Sequence, residues 1–360
     1  MNYILSLILA VFAAALASNG QQQEINRLPT PAAAQSPHSF YEADVPLFAN
    51  HGQFYYRLPN MLVTAKGMVL AASQRRLGSN GDFAPSGWVL RRSSDGGKTF
   101  GDEQVLFARE GACTFNGNLV EDRQSGTLFA CFITFPQAEQ KTWFTNAWSP
   151  RGGGFTVVKS TDDGRTWSAP VEVVPQPNAE GWHGGGAFNN NHGFQLQRGP
   201  HTGRLIICAR VFKPGVYEGR SKGGLIYSDD HGAMWKVSGV MLKNAGGINS
   251  EVCIGETGEG EVYVNSRNEA SKTAKRDPTA EPPKGLVAHL SRDGGRTWKA
   301  GRIISEKSGG YSDDACTPEG IILTLYENAR DKTKPRGLLF ARYNLTWLLE
   351  KQTAHKRVGG

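Results

Sequence analysis

The chain has 360 residues, of which 39% are hydrophobic and 20% charged, and its formal net charge is +7. This length buries a large core and allows either two or three domains or one larger repeat domain. The Lys and Arg residues are spread along the chain without a long basic run, so the charge indicates a solvated basic surface, and no nucleic-acid partner is predicted.

Residues 1–17 have the pattern of a signal peptide. The stretch from Ile4 to Leu16 is apolar, and Ala15, Leu16 and Ala17 fit a small-x-small cleavage site. The apolar stretch is too short for a comfortable membrane span, and no Lys or Arg precedes it. We therefore expect a secreted or periplasmic protein that is cleaved after Ala17 and has no stable membrane span.

The composition changes after the N-terminal region. Residues 18–45 are rich in Gln, Ala, Ser and Pro, which is typical of a linker. Beyond them, short apolar runs alternate with Gly, Asn and Asp turns, and no amphipathic helix of useful length is found. Such runs are Met68–Ala72, Leu128–Phe132, Leu205–Ala209 and Ile321–Leu325. The pattern predicts an all-β chain.

The five cysteines give no sign of a metal site. Their number is odd, so they cannot all form disulfides, and no two have the spacing of metal ligands. The sequence as a whole implies no metal and no organic cofactor. Cys131, Cys208 and Cys253 lie in apolar, strand-like stretches and are expected to be small buried side chains. A disulfide is the alternative in an exported protein, and the sequence does not select its partners.

An eight-residue pattern, Ser-x-Asp-x-Gly-x-Thr-Trp, occurs four times, with Phe100 in place of Trp in the first copy and Met234 in place of Thr in the third. The copies begin at residues 93, 160, 228 and 291, so successive copies are 67, 68 and 63 residues apart. Asp and Gly favour a tight turn, and the closing aromatic residue packs against the sheet below it. One such turn per unit predicts small sheets in radial or linear repetition, and it assigns these residues a structural role.

These repeats resemble the Asp-boxes of the sialidase superfamily, which lie on the blades of a six-bladed β-propeller. The segment from Phe54 to Pro59 (FYYRLP) is similar to the Phe-Arg-Ile-Pro motif that opens sialidase domains. The segment from Gly337 to Leu348 resembles the closing strand of the family. The resemblance covers residues 46–349, leaves 350–360 as a tail, and implies an all-β six-bladed propeller that acts on sialylated glycans.

The resemblance also implies a clamp for the carboxylate of sialic acid. Arginine suits this role because it is always charged and binds a carboxylate with two parallel hydrogen bonds. The family uses three clustered arginines. Arg57 matches the first, Arg267 matches the second, and Arg76 resembles a further arginine near the pocket.

The chemistry implied by the resemblance uses a tyrosine nucleophile, an exception among glycosidases. Tyrosine has an ordinary pKa of about 10 and needs an adjacent base to lose its proton. Tyr311 matches the nucleophile and Glu251 its base, while Asp82 resembles the acid/base aspartate. Glu327, 16 residues after Tyr311, resembles the carboxylate that orients Arg57.

Each of these residues has a structural alternative when it is considered alone. Arg57 fits a surface charge, Tyr311 an aromatic at a rim, and Glu327 a salt bridge at a strand end. Asp82 lies in a Gly- and Ser-rich stretch that also suits a simple turn. His192 resembles a pocket loop of the family, but a loop histidine bonded to backbone is the favoured interpretation.

The chain departs from the family pattern at one place. Only Lys299 to Gly310 separate the last box from Tyr311, where the family has about one more blade, which carries the third clamp arginine. Five blades are therefore the alternative to six. Three functions remain open: a retaining exo-α-sialidase, a weak or inactive relative that binds acidic glycans, and a structural propeller. The presence of both Tyr311 and Glu251 argues against the third.

Overall fold

In the computed structural model, the described residues are almost entirely strands and turns, which confirms the all-β prediction. The described ranges are 7–10, 38–139, 154–187, 191–213, 222–240, 249–268, 285–294, 296–298, 301–306, 310–328 and 336–350. Helical structure within them is limited to a 3-10 turn at Gln137–Glu139 and the short helix α1 at Leu345–Leu349. No helix in the described part of the chain is long and apolar enough to cross a membrane.

The described strands are numbered in chain order. The first eleven are β1 (Leu7–Ala10), β2 (Tyr41–Ala49), β3 (Phe54–Val63), β4 (Val69–Leu77), β5 (Ser86–Ser93), β6 (Gln104–Phe107), β7 (Ala112–Asp122), β8 (Thr127–Pro136), β9 (Phe155–Ser160), β10 (Val171–Val173) and β11 (His183–Ala187). The others are β12 (Phe194–Gln195), β13 (Leu205–Phe212), β14 (Lys222–Ser228), β15 (Lys236–Val240), β16 (Asn249–Glu256), β17 (Val262–Asn268), β18 (Leu286–Ser291), β19 (Arg302–Ser305), β20 (Ser312–Cys316), β21 (Ile321–Glu327) and β22 (Gly337–Asn344).

These strands form six sheets within the described residues. Two are consecutive meanders, β3-β4-β5-β6 and β7-β8-β9-β10, and a third has the order β11-β13-β14-β15, with β12 also paired to β13. A fourth, β2-β22-β21-β20, joins strands from opposite ends of the chain. The remaining strands form the hairpin β16-β17 and the sheet β1-β18-β19. Successive chain segments thus build successive small sheets, as the repeat predicted.

The N-terminal strands overlap the predicted leader and linker. Leu7–Ala10 lies inside the predicted signal peptide and pairs in parallel with residues 288–291 of β18. β2 begins at Tyr41, so the last residues of the predicted linker 18–45 belong to the fourth sheet. The rest of 1–37 lies outside the described residues, as does the predicted tail beyond Glu350.

The sheets pack face to face, as β8 illustrates. Leu128 and Phe132 contact the sheet before it, in a cluster that contains Trp88. Phe129 and Cys131, which alternate with them, pack against the sheet after it, with Trp235. Because successive strand residues point to opposite faces, a strand that is buried on both sides reads as a continuous apolar run. Cys131 and Cys208 are buried, as predicted, whereas Cys253 is half-buried.

The first three Ser-x-Asp patterns each form the turn after the third strand of a sheet, β5, β9 or β14, and the fourth forms the turn after β18. In the first copy, Ser93 Oγ donates to Asp95 Oδ1 (2.7 Å), and the Gly97 N–H donates to Ser93 Oγ (2.9 Å). The Thr99 N–H donates to Asp95 Oδ1 (3.0 Å) and its hydroxyl to Oδ2 (2.6 Å). The serine and backbone bonds of the aspartate recur at Asp162, Asp230 and Asp293. These bonds are local, so the role of the pattern is structural.

We expect the turn at Asp95 to make stability dependent on pH. Burial raises the pKa of Asp95, but hydrogen bonds from Thr99 and Ser93 outweigh it and hold the pKa well below the ordinary 3.8. A depressed folded-state pKa contributes stability above the unfolded-state value and loses it as the pH falls. The melting temperature of Asp95→Asn should therefore lie below that of the wild type at pH 7. The difference between the two melting temperatures should become smaller below about pH 4. A difference that is constant with pH, or the same difference for the exposed Asp102→Asn, would contradict this assignment.

Candidate active site

The site begins at a bulge near the start of β3. The register of β3 against β4 shifts between Arg57 and Asn60, and Leu58 has a φ of +58°. A leucine rarely adopts this left-handed conformation, because its Cβ crowds the backbone. The bulge turns the Leu58 N–H toward Glu327, whose Oε1 accepts it at 3.2 Å. The strained residue therefore lies directly beside the predicted clamp arginine.

The carboxylate of Glu327, at the end of β21, joins the predicted clamp to the predicted nucleophile. Arg57 Nε donates to Glu327 Oε1 (2.5 Å), and the backbone N–H of Tyr311 donates to Oε2 (3.3 Å). The Glu327 side chain is 7% exposed, whereas that of Arg57 is 26% exposed. The nearly buried Glu327 carboxylate thus orients the partly exposed Arg57 guanidinium, which is the contact that the resemblance implied for this pair.

Arg57 is held in its charged form. Burial lowers its pKa, but the charge and hydrogen bond of Glu327 more than offset this, and the charges of Asp82 and Tyr311 act in the same direction. Its guanidinium carbon lies 5.9 Å from the centre of the Tyr311 ring. The cation and the phenol therefore share one small region.

Tyr311 comes directly before β20 and lies opposite Glu327. Ser312 pairs with Tyr326, and the Glu327 N–H donates to the Tyr311 carbonyl at 2.9 Å. Gly310 makes this approach possible, because a Cβ at position 310 would lie 2.6 Å from Glu327 Oε2 and 2.8 Å from its Cβ. No side chain fits at Gly310 without moving the glutamate.

Gly310→Ala should lower the free energy of unfolding by about 1–3 kcal/mol, which is the usual cost of overpacking, because the added methyl would displace Glu327 and its bonds to Arg57 and Tyr311. Gly101→Ala is the matched control, since its nearest neighbour would be the Arg92 carbonyl oxygen at 3.8 Å. Chemical denaturation measures the two variants, and equal free energies of unfolding would show that the close approach of Gly310 to Glu327 has no structural effect.

Arg76 and Asp82 lie next to this cluster. Arg76, on β4, is completely buried, and its Nε donates to Gln74 Oε1 (2.9 Å) while Nη1 donates to the Asn80 carbonyl (2.6 Å). Its Nη2 forms an ion pair of 2.9 Å with Asp82 Oδ1, whose side chain is 58% exposed. Arg76 thus anchors the loop that presents Asp82 to solvent. Its predicted direct contact with substrate stays a prediction.

The two arginines are close enough to affect one another. Burial lowers the pKa of Arg76, the positive charge of Arg57 lowers it further, and Asp82 opposes both effects. Five predicted residues therefore meet in one place, drawn from β3, β4, β21 and the loops before β5 and β20. These five residues are Arg57, Arg76, Asp82, Tyr311 and Glu327.

The other two predicted residues lie on the hairpin β16-β17. Asn249 pairs with Asn268 and Val252 with Ser266, so the backbone between them places Glu251 at the same end of the hairpin as Arg267. Their side chains lie outside the described residues. The predicted contact of Glu251 with Tyr311, and of Arg267 with a substrate carboxylate, therefore stays a prediction.

Asp313 is a residue of this region to which the sequence analysis gave no role, although it lies in the same motif as Tyr311. Its fully buried carboxylate accepts the N–H of Met61 (2.7 Å) and the N–H of His192 (3.0 Å), and it lies 3.1 Å from His192 Nδ1. Burial lowers the pKa of His192, but Asp313 more than offsets it and raises the pKa. The imidazole thus pairs with a carboxylate, whereas the favoured prediction was a bond to backbone.

A separate cleft lies at the opposite ends of the same strands. Its wall includes Leu62, Glu121, His192, Phe194 and Cys316. Leu62 and Cys316 each follow a site residue, Arg57 or Tyr311, by five positions, which is about 16 Å along an extended strand. These two residues of the cleft wall therefore lie away from Arg57 and Tyr311 along the strands.

Comparisons with known proteins agree with the predicted resemblance. Residues 78–355 match the family model of the BNR repeat-like domain. A sialidase of Micromonospora viridifaciens is 27% identical over 94% of this chain and 59% of its own length, and one of Bacteroides fragilis is 26% identical over 68% and 43%. The chain thus spans less than two thirds of the length of these relatives.

Solved structures show the same fold. The Hadza microbial sialidase Hz136 superposes with a TM-score of 0.60 at 18% identity, over 82% of this chain and 66% of that chain. The likeness to this structure concerns the fold alone, whereas the family model covers well over half of the sequence. The chain therefore belongs to the sialidase superfamily, among the members that carry a BNR repeat-like domain.

Proposed function

We propose that the protein is a retaining exo-α-sialidase that releases terminal sialic acid from glycoproteins, glycolipids or oligosaccharides. The observation that carries the proposal is the Glu327 carboxylate, which binds both the Arg57 guanidinium and the backbone of Tyr311. A cationic clamp beside a phenol suits a sugar whose anomeric carbon bears a carboxylate. The similarity to proteins named sialidase supports the same substrate class.

In the proposed mechanism, Arg57 and Arg267 bind the substrate carboxylate. The Tyr311 oxygen attacks the anomeric carbon while Glu251 accepts the phenol proton, and Asp82 protonates the leaving glycosidic oxygen. A water molecule, deprotonated by Asp82, then breaks the bond between the sugar and Tyr311, and Glu251 returns the proton to the phenolate. Two displacements give net retention, and a neutral nucleophile avoids repulsion from the substrate carboxylate.

A second candidate function is the binding of acidic glycans with weak or no hydrolysis. Its support is the short connection from Lys299 to Gly310, which leaves no motif-matched third arginine. Loss of one charge-assisted pair to the substrate carboxylate weakens binding by about 2–4 kcal/mol, or roughly 30- to 1000-fold. Such a protein would keep the clamp at Arg57 but turn over slowly.

The test is hydrolysis of a fluorogenic sialic acid α-ketoside by the purified protein and by Asp82→Asn. We expect turnover in the wild type and a decrease in kcat of about 10²- to 10⁴-fold in the variant, because the amide cannot donate or accept the required proton. Asp102→Asn, an exposed aspartate outside the site, is the control. A folded wild type that binds free sialic acid without turnover would favour the second function.

The proposal includes closure of the sheets into a propeller. Its support is a set of hydrogen bonds between the first strands or adjoining segments of neighbouring sheets. They join Asn60 to Leu119, Leu119 to Gly193, Gln197 to Glu256, and Asp313 to Met61. The fourth box follows β18, so β16 to β19 correspond to the strands of one blade, and this correspondence favours five blades over six. An experimental structure of the secreted protein tests the count.

The proposal also includes export with cleavage after Ala17. Removal of residues 1–17 would leave the edge of β18 that pairs with Leu7–Ala10 without that partner strand. In a four-stranded blade, β17 would pair with this edge of β18. Mass spectrometry of the exported protein should find Ser18 at the N-terminus. A mature protein that retains Leu7–Ala10 would contradict cleavage at this site.

A further inference from the structure

The side chain of Asn191 links β20, which begins directly after Tyr311, to β16, which carries Glu251. Its Nδ2 donates to Asp313 Oδ1 (2.9 Å), and its Oδ1 accepts the backbone N–H of Ile254 (3.3 Å). Its own carbonyl accepts from Asn118 Nδ2, on β7. The donor and acceptor of the amide are thus directed at two different strands, and its backbone is tied to a third.

The two bridged positions lie close to the proposed catalytic residues. Asp313 follows Tyr311 by two residues on β20, and Ile254 follows Glu251 by three residues on β16. β16 and β20 belong to different sheets, so no shared ladder of backbone hydrogen bonds sets the distance between them. The Asn191 amide spans this distance, with one hydrogen bond to each strand.

The Asp313 end of this bridge is firmly held. The carboxylate is fully buried, and in addition to Asn191 it accepts the N–H of Met61 (2.7 Å), the N–H of His192 (3.0 Å) and the N–H of Asp314 (3.0 Å). Hydrogen bonds to a charged, buried acceptor are stronger than neutral ones and cost more to break. Asn191 therefore links β16 to the Asp313 carboxylate, which is also bonded to Met61 of β3.

We infer that Asn191 is a positioning residue that sets the separation between Tyr311 and its base Glu251. The inference rests on the proposed function, which assigns those two roles. A small error in nucleophile–base alignment lowers the rate of attack on the order of 10- to 100-fold. Binding should change little, because Arg57 is oriented separately, by Glu327. The expected signature of Asn191→Ala is a lower kcat with a KM within about twofold of the wild type.

The chain offers a matched control in Gln195, four residues further on. Its side chain is buried, whereas that of Asn191 is partly buried, and its amide also bridges two segments: Nε2 donates to Asp122 Oδ1 (2.7 Å) and to the Gly203 carbonyl (2.9 Å), and Oε1 accepts the Arg123 N–H (2.9 Å). These partners lie at or just after the end of β7 and just before β13, and none of the three hydrogen bonds goes to β16 or β20. Gln195→Ala should therefore cost stability as Asn191→Ala does, without lowering kcat.

The experiment combines turnover with a spectroscopic readout that needs no activity. The full chain is labelled with [¹³Cζ]tyrosine, and the Tyr311 resonance is identified by its loss in Tyr311→Phe. We expect this resonance to move in Asn191→Ala and to stay in place in Gln195→Ala, together with the kcat decrease described above. Asn191→Asp, which keeps the size but directs an acceptor at Asp313, replaces Asn191→Ala if the latter does not fold.

An unchanged Tyr311 resonance in a folded Asn191 variant would overturn the inference, as would an increase in KM at unchanged kcat. Failure of the proposed function is a separate result, because it is the absence of turnover in the wild type. In that case the resonance still reports whether Asn191 controls the surroundings of Tyr311.

Discussion

Tyr311→Phe is expected to lower kcat by on the order of 10³-fold or more, which is the effect of removing a covalent nucleophile. The substitution removes one oxygen atom and keeps the ring near Arg57 and the backbone bonds to Glu327. Folding and binding should therefore be preserved. Steady-state hydrolysis of a fluorogenic sialic acid α-ketoside, with thermal unfolding in parallel, measures the two effects separately.

Tyr227→Phe is the control for this substitution, because Tyr227 lies on β14 under the guanidinium of Arg204 (4.2 Å), outside the site. It should retain wild-type kcat. A 3-fluorinated sialosyl fluoride gives a second readout, since it should add one sialosyl mass to Tyr311 in the wild type and none in Tyr311→Phe. Similar kcat values for wild type and Tyr311→Phe would rule out the tyrosine mechanism.

Glu327→Gln is expected to lower kcat/KM by roughly 10- to 150-fold. The change removes the charge that holds Arg57 and places an amide where Arg57 Nε, the Leu58 N–H and the Tyr311 N–H all donate. Loss of a charged hydrogen bond costs about 1.5–3 kcal/mol. Leaving a fully buried charge without its partner costs more, but the Arg57 side chain is 26% exposed, so water can solvate it and the cost stays in this range. The kinetics of hydrolysis and the Kd for free sialic acid check this expectation.

Glu103→Gln provides a closely matched comparison. Glu103 forms an ion pair of 2.6 Å with Arg75, and the two side chains are 16% and 20% exposed. This pair lies outside the cluster that holds Tyr311, so its loss should lower the melting temperature and leave kcat/KM unchanged. Equal losses of kcat/KM in the two variants would mean that Glu327 has only a structural effect.

The resemblance seen in the sequence located most of the site, but it did not reveal how the site is held together. Arg57, Tyr311 and Glu327 were predicted from local motifs, and the structure brings them together. The left-handed backbone of Leu58 has no sequence signal, since leucine does not favour it. Asn191 lies in a run of asparagines in which no position stands out.

The sequence also predicted which residues lie near the site better than it predicted which groups these residues contact. His192 was expected to bond to backbone, and it pairs with Asp313, 121 residues away. Arg76 was expected near the pocket, and the structure shows its contacts with the loop of Asp82, whereas its contact with substrate stays a prediction. Both residues belong to motifs that place them near the site. Their contacts depend on which strand of another sheet lies next to them.

The sequence by itself determined the all-β class and the four box turns, because a box completes its hydrogen bonds within eight residues and needs no distant partner. Only the tertiary structure decided the bridge at Asn191 and the pairing of His192 with Asp313, which are 121 residues apart. The physical reason is that such contacts arise when sheets from distant parts of the chain pack side by side. Their order and spacing follow from the burial of whole faces, and no local motif encodes them.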